Sequence, residues 1–282
     1  MTYTLYFLRK NPLTIVGLMI IFIDLILVVF GPLLVPYDPT KAAFGDALRG
    51  PGIAHFFGTD HAGMDIFSRV IVAARLDLLI GVLAATISFF VGVPLGILAG
   101  FYGDRRGWTS WGSELLMRGM DVIQSFPVFI FAMVLVAMAG TSVRNVVAAV
   151  AFVNIPIFVR LLRSDALSVR EQPFIDAARC AGNPEWRIAL RHLLPNSIRT
   201  GLIQGSVTIG WAIILTAGLS FVGAGVPTPT PEWGLMISDG AQNMVTGQWW
   251  PALFPGLALG ITVFGFAVVA DSIQRVMDPT AR

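Results

Sequence analysis

The sequence is short of charge. Only 13% of its 282 residues are Asp, Glu, Lys or Arg, while 55% are hydrophobic and the mean hydropathy is +0.75. A soluble domain carries about a quarter charged residues, so this composition argues for a membrane protein. Cysteine is nearly absent. Cys180 stands alone, so no internal disulfide can form, and a small residue packed on a helix face is the plain reading of it. The three histidines, His55, His61 and His192, are far apart and show no ligand spacing. Also missing are Gly-x-Ser-x-Gly, His-Glu-x-x-His, Cys-x-x-Cys and the phosphate-binding Gly-x-x-x-x-Gly-Lys-Ser/Thr. Without that lysine loop the chain cannot hydrolyse ATP by itself, and no acids or histidines cluster at one membrane face as a membrane enzyme would require. No catalytic, cofactor or metal residue is therefore assigned. Neither an internal repeat nor a basic-aromatic nucleic-acid motif is present.

Long apolar runs are abundant. Six stretches of membrane length are expected at about 13–35, 76–102, 120–139, 143–162, 201–221 and 252–276, each with roughly 20 or more mostly apolar residues, enough for ~30 Å of hydrocarbon. Only Gly140-Thr-Ser142 separates the third from the fourth, which implies a tight hairpin. The first stretch follows Arg9-Lys10 but is too long for a cleaved signal and lacks a small-x-small site, so it reads as a retained signal-anchor. The chain then divides into 1–35, a tail and anchor helix; 36–74, an external segment ending in an amphipathic helix at 66–76; and 75–282, a core of five spans. That core holds a polar hairpin at 171–195 and a Pro- and Gly-rich external loop at 223–251.

Lysine and arginine set the orientation. With the N-terminus in the cytoplasm, fourteen of the nineteen lie inside, including Arg9, Lys10, Arg105, Arg106, Arg179 and Arg282, and five lie outside. Both termini and the 163–199 segment are then cytoplasmic.

The 171–195 segment is a polar island. Pro173 suits a helix's first turn, where its missing amide had no partner. Gly182 suits the left-handed position beyond a helix end. Asn183 can cap a second helix with Pro184 at its first position and Glu185 in its first turn, and Pro195 should stop that helix. The expected unit is a helix-Gly-helix hairpin that docks a soluble partner.

Polar residues inside the spans need partners or water. Asp24 sits mid-span, where a charge costs at least ~2.5–3.5 kcal/mol, so it should face other helices or be neutral. Gln124, Ser125, Asn154, Gln204, Ser206, Thr208 and Thr216 either line a conduit or join helices. Asp271 and Arg275 are spaced for an ion pair along one helix. Gly92, Gly96 and Gly100 form small-xxx-small pairs suited to close packing.

The hairpin resembles the EAA loop of permease subunits in bacterial ATP-binding-cassette importers. Asp176-Ala177-Ala178, Gly182, Ile188 and Leu194-Pro195 occupy the family's places, with Asp in place of the usual Glu. Phe57-Gly-Thr-Asp60, Asp65-Ile-Phe-Ser-Arg69, Arg191-His-Leu-Leu-Pro-Asn196, Leu219-Ser-Phe-Val-Gly223, Pro231-Glu-Trp-Gly234, Trp250-Pro-Ala-Leu-Phe-Pro-Gly256 and Asp278-Pro279 are similar to the second permease subunit of the dipeptide/oligopeptide/nickel branch. Thr216 replaces an acid common in that branch, and Ala267-Val-Val-Ala-Asp271 departs from its usual Asn-Leu-Leu-Gly-Asp.

The resemblance implies an all-α integral membrane protein with six transmembrane helices, the type I importer permease fold, in the bacterial inner membrane. It implies no ATPase centre and no cofactor, a sister permease completing a heterodimer, two ATPase subunits and an external solute-binding protein. Phe174, Asp176, Ala177, Ala178, Arg179, Gly182, Pro184 and Arg187 would couple to the ATPase. Asp24, Gln124, Ser125, Asn154, Gln204 and Thr208 are candidates for the pathway or helix interfaces, and Asp60, Asp65, Glu232 and Trp233 for external docking. Peptides are the implied solutes, with nickel chelates, glutathione-like or opine-like compounds as alternatives within the branch and a non-transport scaffold as the rival outside it.

The orientation is testable by single-cysteine labelling of intact cells with Cys180 replaced. An impermeant reagent should modify cysteines at Asp46 and Gln242 and spare one at Arg179; labelling at 179 with none at 242 would invert the topology.

Overall fold

The computed structural model describes residues 11–103 and 108–277. Arg9, Lys10, Arg105, Arg106, Asp278-Pro279 and Arg282 lie outside the described residues, and so does the side chain of Trp108. Helix α1 (Pro12–Leu34) starts on a proline. Helix α2 (Ile66–Tyr102) is a single helix of 37 residues, capped by Asp65, which accepts from the Ser68 amide at 2.8 Å and the Ser68 hydroxyl at 2.6 Å. The amphipathic helix expected at 66–76 is therefore the first part of this long helix. Arg75 and Asp77 do not end it, because Asp77 is buried and hydrogen-bonded, accepting from the Trp233 amide.

The stretch expected to cross as one span at 120–139 is broken. Helices α3 (Trp108–Ser125) and α4 (Val128–Ala139) meet at 93°. Pro127 has no amide to continue α3 and pushes Phe126 toward extended backbone. Twelve residues of α4 reach about 18 Å, so a full crossing draws on both arms.

A tight turn follows. Gly140 adopts φ +91°, the Ser142 hydroxyl accepts from the Asn145 amide at 3.2 Å, and the Asn145 side chain donates to the Ala139 and Gly140 carbonyls at 2.7 and 2.8 Å. The chain continues as α5 (Val143–Arg170), α6 (Pro173–Cys180), α7 (Glu185–Ile188), one wide turn (Ala189–Leu193), α8 (Leu194–Phe221), α9 (Trp233–Met244) and α10 (Trp250–Met277). Helices α1, α2, α5, α10 and the run Glu185–Phe221 are long and apolar enough to cross a membrane, and the bent α3–α4 pair meets the same length only with its two arms taken together. Among the described residues there is no strand.

The core forms where α2 is held between α5 and α8. A Cβ on Gly92 would lie 2.5 Å from Phe158 Cβ; one on Gly96, 2.6 Å from the Val159 carbonyl; one on Gly100, 2.7 Å from Ala166 Cβ. On its other side a Cβ on Gly81 would lie 2.7 Å from Ile213 of α8. Lipid tails are as apolar as leucine, so helices associate in a bilayer through such close backbone approach.

Helix α1 docks on α10 by the same means. Gly17 and Gly265 face Val268 and Ile20, Thr14 hydrogen-bonds Ser272 at 2.8 Å, and Asp24 accepts from Thr262 at 3.1 Å. The 36–65 segment folds back over the ends of α2 and α10. Phe57 stacks on Phe254 with centroids 4.0 Å apart, and Trp250 donates to the Thr59 carbonyl at 3.2 Å. The 223–251 segment, read as a loop, contains α9, which Glu232 caps by accepting from the Gly234 and Leu235 amides at 3.0 and 2.7 Å.

A leucine at Gly96 must push α2 off α5, at a cost of about 1–3 kcal/mol for overpacking. Gly96→Leu should lower the melting temperature of the purified chain. Gly112→Leu, where no neighbour lies within 4 Å, should not. Equal melting of the two variants would remove the close contact from the account.

Candidate functional site

Residues 173–193 form the hairpin expected from the sequence. Helix α6 ends as Gly182 takes φ +78°, its amide donating to Arg179 O at 2.9 Å while the Asn183 amide reaches back to Ala178 O at 3.3 Å. This pair of bonds satisfies two carbonyls at the helix end. The second arm differs from expectation by one residue. Pro184 rather than Asn183 is the cap of α7, its carbonyl accepting from Arg187 and Ile188, and the Asn183 side chain instead donates to Ala178 O at 3.1 Å.

Pro195 does not stop the helix. The chain runs from Glu185 to Phe221 as one continuous element. The reason is the wide turn just before the proline, in which the Leu194 amide bonds to Ala189 O five residues back. An i→i+5 turn tolerates the bond Pro195 cannot make and relieves the ring's clash with the preceding turn.

The hairpin has two faces. Ile175, Ala178, Ile188 and Leu193 are buried against Ile97 and Phe101 of α2 and Leu162 and Ala166 of α5. Ala178 thus belongs to the inner face. Phe174, Asp176, Ala177, Gly182, Pro184 and Arg187 are exposed, as are Trp186 and Leu190 at 58% and 59%. Arg179 ties the arms together, donating to Asp176 at 2.9 Å and lying 3.4 Å from Glu185. The Arg187 guanidinium sits 5.5 Å over the Trp186 ring. Cys180 is exposed rather than buried on its helix. Sequence reasoning passed over Trp186 and Leu190; two large apolar residues amid arginines were the available signal.

The polar residues inside the spans differ in their surroundings. Asn154 and Thr208 are buried and satisfied within their own helices: Asn154 donates to Val150 O at 2.7 Å, and Thr208 donates to Gln204 O at 2.8 Å while accepting from the Gln204 side chain at 3.2 Å. Asp24 is 5% exposed and faces α10. Gln124 and Ser125 sit at the α3–α4 break, with the Ser125 hydroxyl donating to Val122 O at 2.7 Å. Near the break Asp121 pairs with Arg160 of α5. Asp271 and Arg275 pair at 2.8 Å along α10. Ser206, with Thr86, Phe89, Phe90 and Leu202, lines an open groove of about 310 Å³ between α2 and α8 that contains no charged side chain.

The four residues considered for external docking are all buried. Asp60 caps its own turn by accepting from Ala62 and Met64, both at 2.9 Å. Asp65 caps α2 and meets His55 at 2.8 Å. Glu232 caps α9, and burial pushes its carboxyl up from the usual range. The Trp233 indole donates to Val70 O at 3.0 Å. Caps and turns explain these acids, so their side chains order the two segments and leave the surface to others. Exposed there are Phe44, Ile53, Phe56 and Val245, with Ile53 98% and Val245 92% accessible. Among the described residues no group of three or more His, Cys, Asp or Glu could hold a metal ion.

Comparison with known proteins agrees with this geometry. Residues 92–282 match the family described as binding-protein-dependent transport system inner membrane component, and residues 3–51 match the N-terminal TM domain of oligopeptide transport permease C. The chain is 40% identical to a dipeptide transport system permease protein of Alkalihalophilus pseudofirmus, covering 96% of this chain and 87% of that one. It is 38% identical to a probable D,D-dipeptide transport system permease protein of Escherichia coli, covering 98% and 90%. A glutathione transport system permease protein of Pectobacterium atrosepticum is 36% identical over 97% and 88%. Among solved structures, the inward-facing MetNI methionine ABC transporter matches with a TM-score of 0.59 at 19% identity, over 76% of this chain and 98% of that one, and so supports the fold. The chain belongs to the binding-protein-dependent transport system inner membrane components, the non-catalytic permease subunits of ATP-binding-cassette importers, whose ATP hydrolysis takes place in separate subunits.

Proposed function

We propose that this permease forms half of the translocation pathway of an importer for short peptides. A sister permease completes the pathway, and two ATPase subunits bind below, one of them on the 173–193 hairpin. A solute-binding protein lands on the 36–74 and 223–251 segments, with both termini in the cytoplasm. In this reading residues 1–35 anchor the chain, 36–74 belong to the landing surface, and 75–282 form the permease core.

The carrying observation is the hairpin's exposed face. Phe174, Trp186 and Leu190 stand out of an element whose other face is sealed to α2 and α5, and buried aromatic anchors are what dominates docking interfaces. The exposed Phe44, Ile53 and Phe56 support a landing surface at the opposite end. The uncharged groove between α2 and α8 suits a path that passes solutes without holding them by charge. Peptides are favoured because the relatives are named for dipeptides, D,D-dipeptides and glutathione, all built on amide-linked amino acids.

Gly182 tests the coupling. Its missing Cβ faces open space in this chain, so Gly182→Val costs only the backbone strain of a side chain at φ +78°, roughly 1 kcal/mol or more. The variant should insert and pair with its sister permease, yet co-purify poorly with ATPase subunits and lose most dipeptide uptake in whole cells. Asp176→Lys, which also breaks the exposed pair with Arg179, should act in the same direction. Normal uptake and ATPase recovery by Gly182→Val would leave the hairpin as a surface loop. Separately, wild-type cells that take up neither dipeptides nor glutathione would exclude the peptide reading.

A further inference from the structure

The carboxyl groups of Asp77 and Glu232 lie against each other where α2, α8 and the start of α9 meet. Both are essentially sealed from solvent, at 2% and 0% exposure, with Asp77 accepting from the amide of Trp233, the residue next to Glu232, and the two carboxyls neighbours of one another. Two carboxylates in contact inside a protein cannot both stay ionised. We propose that Asp77 and Glu232 share a single proton, seated on Asp77, and that this proton fastens α9 to the helix core.

The surrounding donors decide where the proton sits. Glu232 accepts from the Gly234 amide at 3.0 Å and the Leu235 amide at 2.7 Å, one on each oxygen. The Ser220 hydroxyl of α8 lies close to it as well. Each Glu232 oxygen thus already accepts from an amide, an environment for a carboxylate. Asp77 has one donor, the Trp233 amide at 3.0 Å. A neutral Asp77 accepts that bond on its carbonyl oxygen and donates its hydroxyl to Glu232, which satisfies every group. An ionised Asp77 leaves two negative carboxylates in contact.

No cation relieves the pair. Among the described residues neither carboxyl forms an ion pair. Arg69, two turns away on α2, donates to Pro39 O at 2.9 Å and Pro229 O at 3.4 Å and lies beside Asp60. Asp239 of α9 lies with Arg69 and His61. Arg75 is exposed on another face of α2, Arg199 of α8 is about six turns distant, and the Asp271–Arg275 pair occupies the far end of α10. The Trp233 amide bond to Asp77, the Trp233 indole bond to Val70 O and the cap formed by Glu232 are the polar ties at the first turn of α9. Gly234 makes that turn sit directly on the Ala217 backbone of α8, where a Cβ would overlap. Asp77 is thus a positioning residue for α9.

Linkage gives the sign. When α9 lifts off, both carboxyls meet water and take ordinary values near 4, so opening releases the shared proton. The opening equilibrium constant must therefore rise with pH, about tenfold per unit, until the pair ionises in place.

Hydrogen exchange of amides 233–244 in the full-length chain in lipid reads this directly, after correction for intrinsic rates. Wild type should lose protection about tenfold per unit between about pH 6 and pH 8. Asp77→Asn supplies the same carbonyl acceptor and an amide donor, so it should keep α9 protected and abolish the pH slope. Glu232→Gln sets its NH2 against either the Gly234 or the Leu235 amide and should weaken protection at every pH. A wild-type profile without a pH slope would overturn the shared proton. So would Asp77→Asn opening α9 as much as Glu232→Gln does.

Discussion

The contact on which most of this structure depends is the approach of α2 to α5 over Gly92, Gly96 and Gly100. There is no hydrophobic gain in bringing two apolar helices together within a bilayer, so the attraction must come from atoms at van der Waals distance. Three absent Cβ atoms allow that distance over three successive turns. The consequence reaches the cytoplasmic hairpin: α5 leads into α6 through two residues, and the hairpin's inner face, Ile175, Ile188 and Leu193, is packed against Phe101 and Leu162 at the end of the same contact. A push on the exposed face of the hairpin is therefore a push on α2, α5 and α8 together. The wide turn at Ala189–Leu193 keeps the second arm continuous with α8, so no break separates the hairpin from the span.

Polar groups follow a second logic. Those in the middle of the bundle are few: Asn154 and Thr208 are satisfied by their own helices, Asp24 accepts from Thr262 of α10 on one oxygen only, and the buried Thr216 hydroxyl makes no hydrogen bond. Those at one end of the bundle are many and act as scaffold. Asp60, Asp65, Arg69 and Glu232 hold turns, caps and crossing segments, and none of them is presented to solvent as a binding group. The surface they support is apolar, with Phe44, Ile53 and Phe56 outermost. The groove between α2 and α8 combines two phenylalanines with Thr86 and Ser206, an amphiphilic wall without charge. Buried acids thus give shape, and uncharged residues make up the exposed surface they support.

Much of this was legible in the residues themselves. Scarcity of charge and the long apolar runs determined a helical membrane protein, because hydrocarbon admits little else. Pro173, Gly182 and Glu185 determined the hairpin, because its turn is a backbone event with strict local requirements. The small-xxx-small repeat on α2 foretold a close contact, though not its partner. What only the tertiary structure decided was whatever depends on neighbours distant in sequence. Asp77 lies just inside the span expected at 76–102 without a partner in the sequence around it, until Glu232 and the Trp233 amide are placed beside it. Pro195 reads as a helix stop until a wide turn makes room for it. The α3–α4 break is marked by Pro127, yet its 93° bend depends on packing. Asp60, Asp65, Glu232 and Trp233 read as exposed loop residues until the 36–65 and 223–251 segments fold onto the ends of α2, α8 and α10. The physical reason is the same in each case: a side chain's polarity is fixed by its chemistry, but the free energy of leaving it in water or burying it is fixed by the partner it finds.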